Sequence, residues 1–128
     1  MFAEISENTQ LVSVLVRSMD RASLPEALAS VAAQSYDSIE VVLINAKKGE
    51  HSNVGTWCGR FPLRLINSEV GLTRVAAANT GLEHAQGTYL MFLDDDDLIV
   101  YGLLRRDAQY WLTARYSNKL TQYRSNHG

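Results

Sequence analysis

The chain holds a single cysteine, Cys58, so no internal disulfide can form. That suits a reducing compartment. Cys58 also has no second cysteine and no patterned histidines near it, which disfavours a zinc site. Long apolar runs are missing. The longest, such as Leu90 to Leu93, are far too short to span a bilayer, and Met1 to Gln10 has no signal-peptide character. Neither sign of charge dominates, with 12 basic and 14 acidic residues and a net charge of −2. Nothing in that balance calls for nucleic acid as a partner. Three motifs are absent as well. No GxGxxG follows a strand, which disfavours a dinucleotide oxidoreductase, and no GxxxxGKS or GxxxxGKT appears, which excludes a P-loop nucleotidase. No GxSxG elbow is present.

What remains is an ordinary globular composition, 46% apolar and 20% charged, over 128 residues. That length fits one domain, residues 1–128, with flexible ends at about 1–10 and 117–128. Leu11 to Val16 is almost wholly apolar and β-branched, as in a strand buried on both faces. Ser23 and Glu26 have capping-box spacing around Pro25, and the helix they open should run to about Gln34. Val41 to Ile44 is a second buried strand, Lys47 to Gly55 an irregular loop, and Leu63 to Ile66 a short third strand. Gly71 opens a second helix with Leu72, Val75, Asn79 and Leu82 on one face, ending by Gly87. Tyr89 to Leu93 is the fourth strand, and a third helix runs from about Val100 to Tyr116. Strands alternating with helices predict a mostly parallel sheet covered on both faces. Ligands of such sheets bind beyond the carboxyl ends of the strands. Four loops therefore matter: those after Val16, Ile44, Ile66 and Leu93.

The strongest local signal is Asp94 to Asp97, four consecutive carboxylates directly after an apolar strand. In extended geometry Asp94 and Asp96 point one way, Asp95 and Asp97 the other. A pair on one side suits a hard divalent ion, Mg²⁺ or Mn²⁺. Such an ion offsets the charge of a departing diphosphate. The plainer reading is an acidic loop capping the next helix. Arg74, early in the second helix, is placed for a phosphate oxygen or simply faces solvent. Ser18 and Asp20, after the first strand, offer contacts to a base or ribose, or are turn residues. Asn45 ends the second strand with an amide that could meet a base edge. His51 reads as an ordinary loop histidine. From Arg105 onward the basic residues Arg105, Arg106, Arg115, Lys119 and Arg124 face one acid, Asp107. This is a solvated helix face, or a contact with an anionic membrane or a phospholipid-linked acceptor.

Three stretches then resemble the N-terminal half of the family 2 glycosyltransferases, which have the GT-A fold. Ser13 to Arg21, SVLVRSMDR, is similar to the family's SVIIPTYNR. Leu24 to Ile44, LPEALASVAAQSYDSIEVVLI, is similar to LxxALxSVxxQSYxxIEVVVV. Ala78 to Asp97, ANTGLEHAQGTYLMFLDDDD, is similar to ANxGLxxAxGxYLxFLDxDD. The three lie in the right order and cover Leu11 to Asp97. The resemblance implies a Rossmann-like α/β fold, truncated relative to the family. It also implies a nucleoside-diphosphate sugar donor, a UDP-sugar by preference, and Mn²⁺ or Mg²⁺ as cofactor.

Carried over by position, Ser18, Asp20 and Asn45 meet base and ribose, and Arg74 the diphosphate. Asp94 and Asp95 lie on the nucleotide-sugar side, with Asp94 and Asp96 on the metal. The activity implied is an inverting transfer to the hydroxyl of a glycan or lipid-linked acceptor, in the cytoplasm or peripherally at the inner membrane surface. The alternative is a degenerate, non-catalytic relative that binds a nucleotide sugar or a partner.

The departures are specific. Asn45 and Ala46 stand where the family has an acidic pair, VDDGS, one acid of which contacts uracil. Arg17 stands for a common proline, and Tyr101 for another. No residue is nominated as catalytic base, because the family supplies it, with the acceptor site, from a C-terminal portion. Exposed apolar surface near Tyr110 and Trp111 would favour self-association.

Overall fold

The structure is a computed structural model that describes residues 10–99. The expected third helix, the basic stretch from Arg105, Tyr101, the surface around Tyr110 and Trp111 and both chain ends lie outside the described residues. Within them the order is β1 (Val12–Ser18), α1 (Leu24–Ala32), β2 (Ile39–Asn45), β3 (Trp57–Cys58), β4 (Phe61–Ile66), α2 (Arg74–His84) and β5 (Tyr89–Asp94).

The strands form one five-stranded sheet in the order β3-β4-β2-β1-β5. β1 pairs in parallel with β2 and β5, and β2 in parallel with β4; only β3 is antiparallel, to β4. Every residue of β2 is buried, as expected of a central parallel strand covered on both faces. The period of two divides the core. Val12, Val14 and Val16 pack on one side with Leu24, Ala27 and Val31 of α1. Leu15, Val42 and Ile44 pack on the other with Ala77 of α2. Burying each such Val, Leu or Ile stabilises the fold by roughly 1.5–3 kcal/mol before chain entropy is set against it. Gly81 lets α2 lie close, since a Cβ there would sit 3.1 Å from Leu15 Cδ1 and 3.2 Å from Ile44 Cδ1.

The chain moves from β1 outward to β2 and β4, then returns through α2 to β5 on the far side of β1. Strand order therefore reverses between β1 and β5. Their carboxyl ends flank the crevice where such sheets bind ligands. Among the described residues, no helix is long and apolar enough to cross a membrane.

Several local expectations shift. Ser23 makes no side-chain cap bond and sits in helical backbone geometry; its Oγ donates instead to the Asp95 carbonyl at 2.8 Å. The capping box is thus replaced by a tertiary contact. α1 ends at Ala32 rather than near Gln34. α2 begins at Arg74, not Gly71, because Thr73 Oγ1 caps it by accepting from the Ala76 N–H. It also ends at His84, ahead of Gly87. The Leu72 N–H is held by the Ala46 carbonyl at 2.8 Å, which ties the chain ahead of α2 to the segment just after β2. Val75 is 58% exposed and not on the inner face, because the helix presents Ala77 and Gly81 to the sheet. The two-residue β3 was not expected. It forms with β4 a tight hairpin turning at Gly59, whose φ of +59° favours glycine.

Candidate functional site

All four parallel strands end at one edge. Ser18 is the register partner of Asn45, and Arg17 that of Asp94. The residues singled out from sequence are thereby brought to a common rim, in two groups with a buried strut between.

The first group joins the loops after β1 and β2. Ser18 and Asn45 are both fully buried. Ser18 Oγ lies 2.6 Å from His51 Nε2 and accepts from the Asp20 N–H at 3.0 Å. His51 Nδ1 lies 2.9 Å from the Ser52 carbonyl, which can only accept. Nδ1 therefore carries a proton and donates to that carbonyl, while Nε2 and the Ser18 hydroxyl share a second hydrogen bond. Asp20 adopts a left-handed φ of 57°. Its carboxylate accepts from Ser52 N at 2.9 Å, Ser52 Oγ at 2.6 Å and Lys47 Nζ at 3.1 Å. Asn45 donates to the Gly49 carbonyl at 3.0 Å and to Asn67 Oδ1 at 3.1 Å, while its own Oδ1 accepts from the Lys47 N–H at 3.2 Å. These side chains spend their hydrogen bonds fixing the walls of the crevice. A cleft of about 460 Å³ lies between the loops after β2 and β4, lined by His51, Asn67 and Glu69 among others.

The Ser52 hydroxyl, then the Ser52 N–H, hold the Asp20 carboxyl well below its ordinary 3.8; Lys47 and the nearby His51 act in the same direction, against burial. A carboxylate with a lowered folded pKa stabilises the fold above its ordinary value, and that contribution is lost as pH falls toward the lowered one. Asp20→Asn keeps the shape and tolerates the positive φ. The variant is expected to unfold at lower urea than the parent by a constant gap from about pH 8 to about pH 5, the gap shrinking below about pH 4. Equal urea midpoints at neutral pH would show that the charge does not tether the loop.

The strut is Asp95. It is fully buried, and its Oδ2 accepts from the Met19 N–H at 2.7 Å and the Arg21 N–H at 3.4 Å. Arg21 Nη1 donates to Oδ1 at 3.1 Å. The Asp95 N–H donates to the Arg17 carbonyl at 3.1 Å. One carboxylate thus fastens the loop after β1 to the end of β5.

The second group is the acid cluster. Carboxylate oxygens of Asp94, Asp96 and Asp97 lie within 4.8 Å of one another. The alternation expected of an extended run is broken. β5 ends at Asp94 and the chain turns, with Asp97 N–H donating to the Asp94 carbonyl at 3.0 Å. Asp97 is thereby turned onto the side of Asp94 and Asp96, and Asp95 is left beneath. A hard divalent ion with bonds of about 2.1 Å places opposite oxygens roughly 4.2 Å apart. The three carboxylates need close only slightly to hold one, so the donor set fits such an ion. Cations already stand by: Arg74 Nη1 donates to Asp94 Oδ2, Arg17 Nη1 is 4.0 Å from Asp94 Oδ1 and Arg21 Nη1 is 3.6 Å from Asp96 Oδ2.

His51 is the residue that sequence reasoning passed over. Its side chain is fully shielded rather than a surface group. Lys47, Ser52 and Asn67 were missed with it. Their one available signal was position, in the loops that follow β2 and β4.

A sequence model of the family described as glycosyl transferase family 2 matches residues 13–125. The uncharacterized glycosyltransferase YwdF of Bacillus subtilis is 28% identical over 106 residues, covering 82% of this chain and 40% of its own length. An uncharacterized glycosyltransferase of Haemophilus influenzae is 32% identical over 111 residues, covering 82% of this chain and 44% of its own. The chain spans less than half the length of these curated relatives. The crystal structure of S. aureus TarS 1–349 in complex with UDP-GlcNAc superposes with a TM-score of 0.61 at 20% identity, over 84% of this chain and 31% of that one. That likeness shows the fold.

Proposed function

This chain belongs to glycosyl transferase family 2, and from that premise we propose that it forms the donor-binding part of an enzyme that transfers a sugar from a UDP-sugar to an acceptor hydroxyl. The observation that carries this reading is the convergence of Asp94, Asp96 and Asp97 on one side of the rim, beside Arg74 and at the mouths of β1 and β5.

In this reading Ser18, Asp20 and Asn45 set the wall against which base and ribose rest. Their bonds to His51, Ser52, Lys47 and Asn67 keep that wall rigid. The TarS structure is a complex with UDP-GlcNAc, which supports a UDP-sugar here. Asp95 acts through the loop it fastens, and Arg74 meets the diphosphate. Asp94 and Asp96, joined by Asp97, hold a divalent ion, Mn²⁺ or Mg²⁺. When bound, that ion neutralises charge on the diphosphate.

The transfer inverts the sugar's anomeric carbon. The acceptor oxygen forms a bond to that carbon while the bond to the diphosphate oxygen breaks, and its electron pair leaves with the nucleotide. The acceptor is a glycan or a lipid-linked hydroxyl, met in the cytoplasm or at the inner membrane surface. No side chain among residues 10–99 is assigned as the base that takes the acceptor proton. The chain alone is therefore expected to bind donor and transfer little.

Calorimetric titration of the chain with UDP tests this reading. The expected result is saturable heat in the presence of Mn²⁺ that is strongly reduced when EDTA removes the ion. No heat with UDP or any other nucleoside diphosphate at millimolar concentration would refute it. UDP binding that ignores the metal would favour the degenerate, non-catalytic alternative, which the loss of the family's acid at Asn45 also suits.

A further inference from the structure

We infer that Arg17 is a binding residue for the diphosphate of the donor, which it meets by letting go of Asp94. The inference rests on the donor-binding reading above. It adds a residue that the resemblance does not supply, because the family commonly has proline at this position.

Arg17 lies in the last turn of the pleat of β1, opposite Ile44 in β2 and Asp94 in β5. Alternate β1 residues face opposite sides of the sheet. Leu15 packs on the α2 side, so Arg17 emerges on that side as well. This is the side from which Arg74, at the start of α2, reaches Asp94. The two arginines share one carboxylate.

Arg17 is poorly satisfied there. Its side chain is only 18% exposed, and its nearest opposite charge, Asp94 Oδ1, is 4.0 Å away. That is an ion-pair separation beyond hydrogen-bond length. Its Nε is buried without any hydrogen-bond partner, the one such side-chain atom among the described residues. A guanidinium carries five N–H donors in a planar fork, and a buried N–H such as that on Nε is costly to leave without an acceptor. A second structural arginine on Asp94 would be expected to close to contact, as Arg74 has done. Instead Arg17 is held back, charged and underused, at the crevice.

A diphosphate supplies what is missing: several acceptor oxygens and more charge than one carboxylate. Guanidinium groups match phosphate in two-point contacts. Drawing Arg17 and Arg74 onto the diphosphate would also free both oxygens of Asp94 for a cation. Proline at this position could do none of this. The exchange would couple arrival of the donor to exposure of an Asp94 metal ligand.

The test is titration of UDP and of uridine, in Mn²⁺, into the parent chain, Arg17→Gln and Arg17→Lys. Arg17→Gln is expected to weaken UDP binding by about 10-fold or more while leaving uridine binding unchanged, and Arg17→Lys to keep part of the affinity. A second measurement covers loss of folding in the glutamine variant. In a ¹H–¹⁵N spectrum of arginine side chains, the Nε–Hε signal absent from Arg17→Lys belongs to Arg17, and UDP should shift it in the parent chain. Parent-like UDP affinity in a folded Arg17→Gln, equal weakening of UDP and uridine, or an Arg17 signal that UDP leaves in place would each overturn the inference while the donor-binding reading stands. A parent chain that binds no UDP takes down both.

Discussion

Replacing Asp96 and Asp97 together by asparagine is expected to abolish the Mn²⁺-dependent part of UDP binding, a loss of at least about 100-fold. Removing even an indirect partner of a metal ligand costs about 10–100-fold in affinity, and here two of three carboxylates of the cluster go at once. Asparagine keeps the size and an acceptor oxygen but gives up the charge that a hard ion prefers. Both residues are exposed, so the double variant should unfold within about 0.5 kcal/mol of the parent. The sign without metal is the opposite. Taking two negative charges from the rim favours an anion, so UDP binding in EDTA should hold or rise slightly. Calorimetry with and without Mn²⁺ separates the two terms. A double variant that keeps the parent's metal dependence would show that the ion is held elsewhere.

Asp95→Ala should lower the free energy of unfolding by roughly 3 kcal/mol, since it strands buried N–H donors and removes a charged acceptor. The donors are the Met19 and Arg21 N–H groups, both of which now find Asp95 Oδ2. The Arg21 guanidinium is half in water and can re-solvate, which limits the cost. A domain of this size has about 5–15 kcal/mol in all, so the effect is a large share. Asp95→Asn retains one acceptor oxygen and should lose less. Urea denaturation measures both. The ordering parent, asparagine, alanine is the expected one; an alanine variant as stable as the parent would mean that the loop after β1 does not depend on this strut. The same variant should also weaken UDP binding, because the loop carrying Ser18 and Asp20 is no longer fastened.

Asp95 also marks the limit of sequence reading at this site. In the run Asp94 to Asp97 the four residues are chemically identical, and only the fold gives them different tasks. Strand alternation predicted two pairs. The turn after Asp94 produced a group of three and a buried strut instead. A residue that leaves a strand no longer obeys the strand's period, and nothing in four repeated letters shows where the strand stops. His51 illustrates the same limit from the other direction. Its local sequence is polar and loop-like, yet a residue 33 positions away, Ser18, receives it at 2.6 Å. The capping box at Ser23 and Glu26 was legible as a pattern but not as a bond, because the Asp95 carbonyl, 72 residues on, competes successfully for the hydroxyl.

The strands and helices themselves were written locally. Runs such as Leu11 to Val16 and Val41 to Ile44 are apolar on both faces, and that alone demands cover on both sides and hence a parallel sheet between helices. The carboxyl edge follows from this order, and with it the neighbourhood of Ser18, Asn45 and Asp94. Partners do not follow. Which carboxylate turns inward, which arginine stays unsatisfied and which loop histidine is shielded depend on contacts between segments far apart in the chain. Local periodicity carries no information about such contacts, because their energies exist only once the sheet has brought the loops together.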